Sequence, residues 1–412
     1  MKSKIVVIGG GAAGMMAAIS AARNGANVTL LEPNHRLGMK LNITGKGRCN
    51  VTNNATQEEL LNHMAKNGRF LYSAFSRFDG KDCMSFFEEL KVPLKTERGN
   101  RVFPVSDRSF DVSNALEWEM ERLKVRVMHT RATALEVEEE YITSVATTGE
   151  TLYCDAAIIA TGGLSYPTTG STGDGYELAK SVGHTVTDLA GSLVPLLSPD
   201  SCCKDMQGLA LRNISMAVVD EKGKKAFQDF GELLFTHFGV TGPLVLSASA
   251  HMHDFSKNYR LVLDLKPALS EEKLEARLLR DMKERANQNV KGLVGGLVPS
   301  SMVMVIIRRC NISQYTKVHS ITKEQRQKLI SVLKGFEIAI TGARPVKEAV
   351  VTTGGVSIRE VNPNTMESKL VKGLYFAGEV LDVDAYTGGF NLQIAWATGK
   401  AAGEAAAQIG EE

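Results

Sequence analysis

Ile5-Val6-Val7-Ile8-Gly9-Gly10-Gly11-Ala12-Ala13-Gly14 decides the fold. Four apolar, largely β-branched residues predict a buried parallel strand. Gly9, Gly11 and Gly14 then fill G-x-G-x-x-G. Met15 to Asn24 reads as a helix of small and apolar residues, ended by Gly25. Val28-Thr29-Leu30-Leu31 predicts a second strand with Glu32 at its carboxyl end. In such a βαβ unit Gly9 permits the tight turn, Gly11 lets a pyrophosphate approach the backbone, and Gly14 lets the helix pack on the strand. Ala12 and Ala13 start the helix, whose free N–H groups and partial positive charge suit phosphate. Glu32 is spaced to accept hydrogen bonds from ribose hydroxyls. An ordinary βαβ unit with a glycine-rich turn is the alternative. The strand before, the helix after and the acid at the right distance favour a dinucleotide site.

The loop beyond Glu32 narrows the choice of dinucleotide. Pro33 to Asn50 is polar, rich in glycine and cationic, with little periodicity. Lys40, Leu41, Thr44, Gly45, Gly47, Arg48, Cys49 and Asn50 form a segment able to wrap a diphosphate, the alternative being a solvated basic loop. A nicotinamide enzyme goes from the acid almost directly into the next helix, so the extended loop favours FAD.

Composition sets the outer limits. A chain of 412 residues predicts two or three domains. The net charge of +2, read as well mixed, leaves no footprint for nucleic acid or an anionic membrane. Six scattered cysteines without C-x-x-C exclude a zinc ribbon and a thioredoxin-like pair, and suit a reducing cytosol. Lys2 and Lys4 before an apolar run mimic a secretory signal, but the fingerprint explains the same residues. No run is long enough to span a bilayer. These features predict a soluble cytoplasmic protein.

Along the chain, Ser106–Leu123 predicts a helix capped by Ser109 or Asp111. Val125–Thr130 predicts the third strand of the nucleotide fold, with Ala132 beside an adenine. Leu135–Cys154 predicts an antiparallel meander. Asp155–Gly163 is a buried strand ending in Ala160-Thr161-Gly162-Gly163, a second place where backbone approaches the cofactor. Asp174 is expected to cap the next helix. From Leu193 short alternating segments predict a β-rich insertion, followed by helices to Lys334. Leu374–Glu379 is the last buried strand, and Thr387–Lys400 opens the final helix. Gly388-Gly389 at its N-terminus would present bare N–H groups to the N1/O2 edge of a flavin, with Gly389, Phe390 and Asn391 as cofactor-binding candidates. Gly378 and Glu379 end the preceding strand, and Asp382 and Asp384 are candidates for the ribityl hydroxyls.

These pieces together resemble the bacterial aminoacetone oxidase-like FAD-binding flavoproteins. The carrying segments are Gly9–Gly14, Lys40–Asn50, Ala160–Gly163, Phe235–Pro243, Phe376–Glu379 and Gly388–Asn391. A wider resemblance, through Ala160–Gly163, Thr172–Gly175 and Thr353–Val356, is to fumarate reductase-type flavoproteins. The resemblance implies an α/β fold with a discontinuous Rossmann-like, glutathione-reductase-like FAD domain, a β-barrel-like insert and a helical subdomain. The expected boundaries are 1–190 with 337–412, then 191–268, then 269–336.

The expected activity is FAD-dependent hydride transfer on a small molecule, by amine oxidation or by enone or alkene reduction. NAD-dependent dehydrogenation, a non-enzymatic flavin sensor and flavin-assisted RNA modification are the alternatives, the last disfavoured by the balanced charge. His237 and Tyr386 are the candidate acid–base groups, against a turn histidine and a packing tyrosine. No second framed G-x-G-x-x-G occurs, so NAD(P)H would act as a transient reductant. No metal and no nucleic-acid partner is expected.

Overall fold

The β-branched opening run forms β1 (Lys4–Ile8), the central strand of a five-stranded parallel sheet, in the computed structural model, which describes residues 2–252 and 254–409. The other strands are β2 (Asn27–Leu31), β3 (Arg126–Met128), β4 (Ala156–Ile159) and β5 (Leu374–Phe376), in the order β5-β4-β1-β2-β3. Ile5, Val6, Val7 and Ile8 align with Ala156 to Ile159 on one side and with Val28 to Leu31 on the other. All four are buried, each worth roughly 1.5–3 kcal/mol relative to exposure.

Helix α1 (Ala12–Arg23) is apolar all round because it is covered on several sides. The helix Ser109–Arg122 packs on it, and so does α2 (Phe390–Ala407). The α1–α2 contact is backbone against backbone. A Cβ at Gly399 would lie 2.4 Å from the Ala13 carbonyl oxygen, and one at Gly403 would lie 2.3 Å from that of Ala17. The polar groups of α2 that this packing buries are satisfied. Trp396 Nε1 donates to Val51 O (2.9 Å), and Gln393 Nε2 donates to Phe78 O (2.7 Å).

Two compact units emerge, Met1–Ser192 with Val346–Glu412, and Leu193–Pro345. The first holds the parallel sheet, the antiparallel meander of residues 132–153, and a three-stranded sheet that includes the hairpin Leu94–Glu97 and Arg101–Pro104. The second is one seven-stranded antiparallel sheet with the helices Glu271–Glu284, Val290–Gly295, Ser300–Arg309 and Lys323–Lys334. Sheet and helices share a single core, with Leu261, Leu263 and Phe336 against Leu274, Ile306 and Leu333. Strand Phe336–Ala339 pairs with Arg260–Asp264, so the chain stays in this unit to Pro345.

Three local expectations need correction. The helix at Ser109 has no side-chain cap; the Ser109 hydroxyl donates instead to Asn42 O (2.8 Å), and Asp111 sits in the first turn. Asp174 is the first helical residue, after Gly173 at φ +90°. The loop after Glu32 is not featureless: Met39–Ile43 is helical and Thr44–Gly47 is a tight turn with Gly45 and Lys46 in the left-handed region.

Candidate functional site

The glycines of the fingerprint do three separate things. Gly9 sits at φ +108°, and a Cβ there would meet Ala160 O at 2.6 Å. A Cβ at Gly14 would lie 1.8 Å from Gly9 O, so helix and strand touch at that point. A Cβ at Gly11 would meet nothing within 4 Å. Gly11 instead borders a cavity of the first unit, together with Gly9, Ala12, Ala13, Glu32 and Ala132. It is the N-cap of α1 and offers no side-chain cap, so the first N–H groups of α1 lack a side-chain partner. Space at Gly11 above a positive helix end fits a diphosphate.

Glu32 is buried, and its carboxylate is already oriented. Oε2 accepts from Gly10 N–H (2.8 Å), while Oε1 accepts from the backbone and side-chain nitrogens of Asn34 (2.9 and 2.6 Å). Each carboxylate oxygen carries about two acceptor sites, so Oε2 keeps one for a ribose hydroxyl. Asn34 also lines the cavity and was not anticipated. Its signal was weak: an amide two residues past the acid.

The post-strand loop divides between cavity and scaffold. Lys40, Leu41 and Thr44 line the cavity. The Lys40 ammonium contacts Glu379 Oε2 (2.7 Å) and Ser165 Oγ (2.6 Å). Glu379 Oε1 in turn accepts from Thr352 N–H (2.8 Å) and Ser165 Oγ (3.1 Å). Gly45, Gly47, Arg48, Cys49 and Asn50 do not line it. Arg48 is held by Glu97 and Asp107 and stacks over Phe103 at 4.1 Å. Cys49 is fully buried, and desolvation pushes its thiol up to about 12. Such a thiol is not a nucleophile at neutral pH. Asn50 accepts from Gly389 N–H (2.9 Å) in the amide orientation that satisfies all its neighbours.

That bond changes the reading of the second helix end. Gly389 caps α2 at φ +97°, but its N–H points to Asn50, not into the cavity. The residues of α2 that line the cavity are Asn391, Leu392, Ile394 and Ala395. The Asn391 side chain clamps residues 385–386, accepting from Ala385 N–H (3.0 Å) and donating to Ala385 O (2.8 Å). Phe390 is buried and stacks on His63, with centroids 4.4 Å apart. Tyr386 is half-buried, its ring edge-on to His63 at 6.4 Å. Neither borders the cavity.

Ala160, Thr161 and Gly162 line the cavity, while Gly163 packs against Thr352 and Glu379. Gly378 stands against Ala13, where a Cβ would approach to 2.7 Å. Asp382 pairs with Lys66 at 2.6 Å. Asp384 is buried, accepting from Ser192 Oγ (2.8 Å) and Thr353 Oγ1 (3.0 Å); desolvation raises its carboxyl above the usual range.

His237 belongs to the second unit, exposed in the turn between Lys225–Thr236 and Gly239–Thr241. Its ring meets Phe238 edge-on at 5.0 Å. The charge of the two units differs. Leu193–Pro345 holds 22 Lys and Arg against 15 Asp and Glu, a net +7, leaving −5 for the first unit. The whole-chain value of +2 averages this asymmetry away. No group of three or more potential metal ligands occurs among the described residues. No described helix is long and apolar enough to cross a membrane.

Comparison with known proteins agrees with this fold. The HI0933-like protein Rossmann domain family matches residues 3–405. A 3-dehydro-bile acid delta(4,6)-reductase of Clostridium scindens is 31% identical over 98% of this chain and 99% of its own. A ribosomal RNA dihydrouridine synthase of Haemophilus influenzae is 30% identical over 96% of each chain. Among solved structures, the 3-ketosteroid-delta4-(5alpha)-dehydrogenase of Rhodococcus jostii RHA1 aligns with a TM-score of 0.54 at 14% identity. That alignment covers 98% of this chain and 97% of the other, a likeness of fold.

Proposed function

The chain belongs to the HI0933-like family and is an FAD-dependent oxidoreductase, and from that premise we propose that it reduces a carbon–carbon double bond conjugated to a carbonyl group. The observation that carries this reading is a convergence of two relatives that each span nearly the whole chain. A delta(4,6) bile acid reductase and a dihydrouridine synthase differ in substrate size. Both names describe saturation of a carbon–carbon bond in an unsaturated ring system. Neither describes amine oxidation.

FAD, when bound, supplies the hydride-transfer chemistry. The chain's own residues do the holding. The open backbone at Gly11 and the N-terminus of α1 receive the diphosphate, and Glu32 the ribose. The first turn of α2, through the N–H groups of Asn391 and Leu392, offers positive potential to the cavity. In the net reaction the carbon distal to the carbonyl gains a hydride and the proximal carbon a proton. NAD(P)H provides the two electrons. The proton is drawn from water, since Tyr386 does not border the cavity and His237 belongs to the second unit.

A second reading concerns the substrate. The net +7 of the second unit favours a polyanion, hence a uracil base within RNA over a free small molecule. The test is anaerobic: flavin of the purified protein is reduced with NADPH, then offered a 4,6-dien-3-one steroid or uridine-containing ribosomal RNA. Rapid reoxidation by one of them, with a product heavier by two hydrogens, is expected. Reduction of the flavin by amines, with no reoxidation by either alkene, would sink the proposal.

A further inference from the structure

The positive charge of the second unit is concentrated. No Asp or Glu occurs from Arg285 to Lys323. Two segments of this stretch are fastened side by side. Val290 N–H donates to Thr316 O (2.9 Å), Val318 N–H to Gln288 O (3.0 Å), and His319 N–H to Ala286 O (3.1 Å). Lys317 Nζ also reaches Asn287 O (3.2 Å). Arg308 and Arg309 are turned toward Asp205 and Asp200. Lys291 and Lys317 are exposed and make no ion pair among the described residues. Beside them Tyr315 is 74% exposed, an uncovered aromatic ring on a polar face. Asn287, Gln288 and Asn289 are exposed as well. The bordering carboxylates are Glu284 and Glu324, at the ends of the neighbouring helices.

We propose that this face is a docking surface for single-stranded RNA, a site that rests on the RNA reading of the function given above. Each component has a matching part in a nucleic acid. Lys291 and Lys317 neutralise phosphates. Tyr315 is a stacking platform for a base. The amide side chains present donors and acceptors to base edges, which are accessible only in unpaired strands. A membrane surface would need apolar side chains around Tyr315, and this face has none to insert. A protein partner would need an apolar centre, which is also missing.

The test uses the full-length, FAD-loaded protein and a fluorescent single-stranded RNA of about 20 nucleotides, titrated over a range of salt. Lys291→Glu with Lys317→Glu is expected to weaken binding at least about tenfold. The log–log salt slope should fall by about 1.4, the value for two phosphate contacts on a single strand. Tyr315→Ala is expected to weaken binding about fivefold or more with the slope unchanged. FAD content and melting temperature serve as the controls for folding. Unaltered RNA binding in the variants would overturn the surface. So would anionic phospholipid vesicles that bind as tightly as RNA and show the same losses. If the variants lose RNA affinity but reduced flavin is never reoxidised by RNA, the surface stands and the RNA substrate falls. If RNA is reduced with an unchanged KM in the variants, the substrate stands and the surface falls.

Discussion

The cavity of the first unit is bordered by two glycine-introduced helix N-termini, and they are built on opposite principles. At α1 the glycine that matters, Gly11, is open: a side chain there would enter empty space. At α2 the glycine is enclosed. A Cβ on Gly389 would lie 2.4 Å from Thr52 O, and the Gly389 N–H is taken by Asn50. One end keeps its space for a ligand, and the other spends its glycine on joining the post-strand loop to the last helix. The same residue type at the same helix position therefore means ligand access in one case and close packing in the other.

The difference predicts opposite outcomes for small substitutions. Gly389→Ala should have the largest effect. It combines a left-handed φ with a backbone collision, costing more than about 3 kcal/mol. The measurement is thermal melting of FAD-depleted protein, where an unchanged melting temperature would refute the enclosed reading. Gly11→Ser should act in reverse. Serine keeps N-cap chemistry, so FAD-free stability should stay within about 0.5 kcal/mol while FAD affinity drops about tenfold. Equal losses of stability at the two sites would erase the contrast.

The smallest effect is in pH. His184 packs edge-on against Phe376 of β5, the strand that leads to Gly378 and α2. Its ring nitrogens reach Ser368 Oγ (2.8 Å) and Glu360 Oε2 (3.2 Å). Desolvation lowers its pKa, with Glu360 opposing. A depressed histidine pKa means the unfolded chain binds the proton first. Stability is thus intact above the unfolded value of about 6.5 and declines as pH falls toward the folded value. His184→Gln should flatten that decline. A wild-type melting temperature that does not fall between pH 7 and pH 5.5 would contradict this account.

The legibility of the chain follows the same division. Gly9, Gly11, Gly14 and Glu32 were readable because backbone geometry dictates the residue at each place within one short segment. Strand β1 was readable from its β-branched run, and β4 and β5 from short apolar runs. Lys40 was assigned to a phosphate but contacts Glu379, a partner 339 positions away. Arg48 looked like a cofactor ligand because its loop is basic, yet Glu97 and Asp107 were not visible as its partners until the hairpin folded against it. The bare amide assigned to Gly389 failed for the same reason, since its acceptor Asn50 lies near the other end of the chain. The charge asymmetry was present in the sequence all along. It appears only once the boundary after Ser192 divides the sum.

The glycine contacts between α1 and α2 also set an order of events on the ribosome. The chain emerges from its N-terminus, and domains fold as they become complete. Met15, Met16 and Ile19 of α1 are made long before Gly399 and Gly403. The parallel sheet must likewise wait for β5. The contiguous second unit, finished at Pro345, therefore has its full sequence before the first unit has its own. A nascent chain stalled near residue 350 would contain one completed unit and one open sheet. Its N-terminal helix would still lack a partner, and that intermediate is the stage at which a chaperone has most to protect.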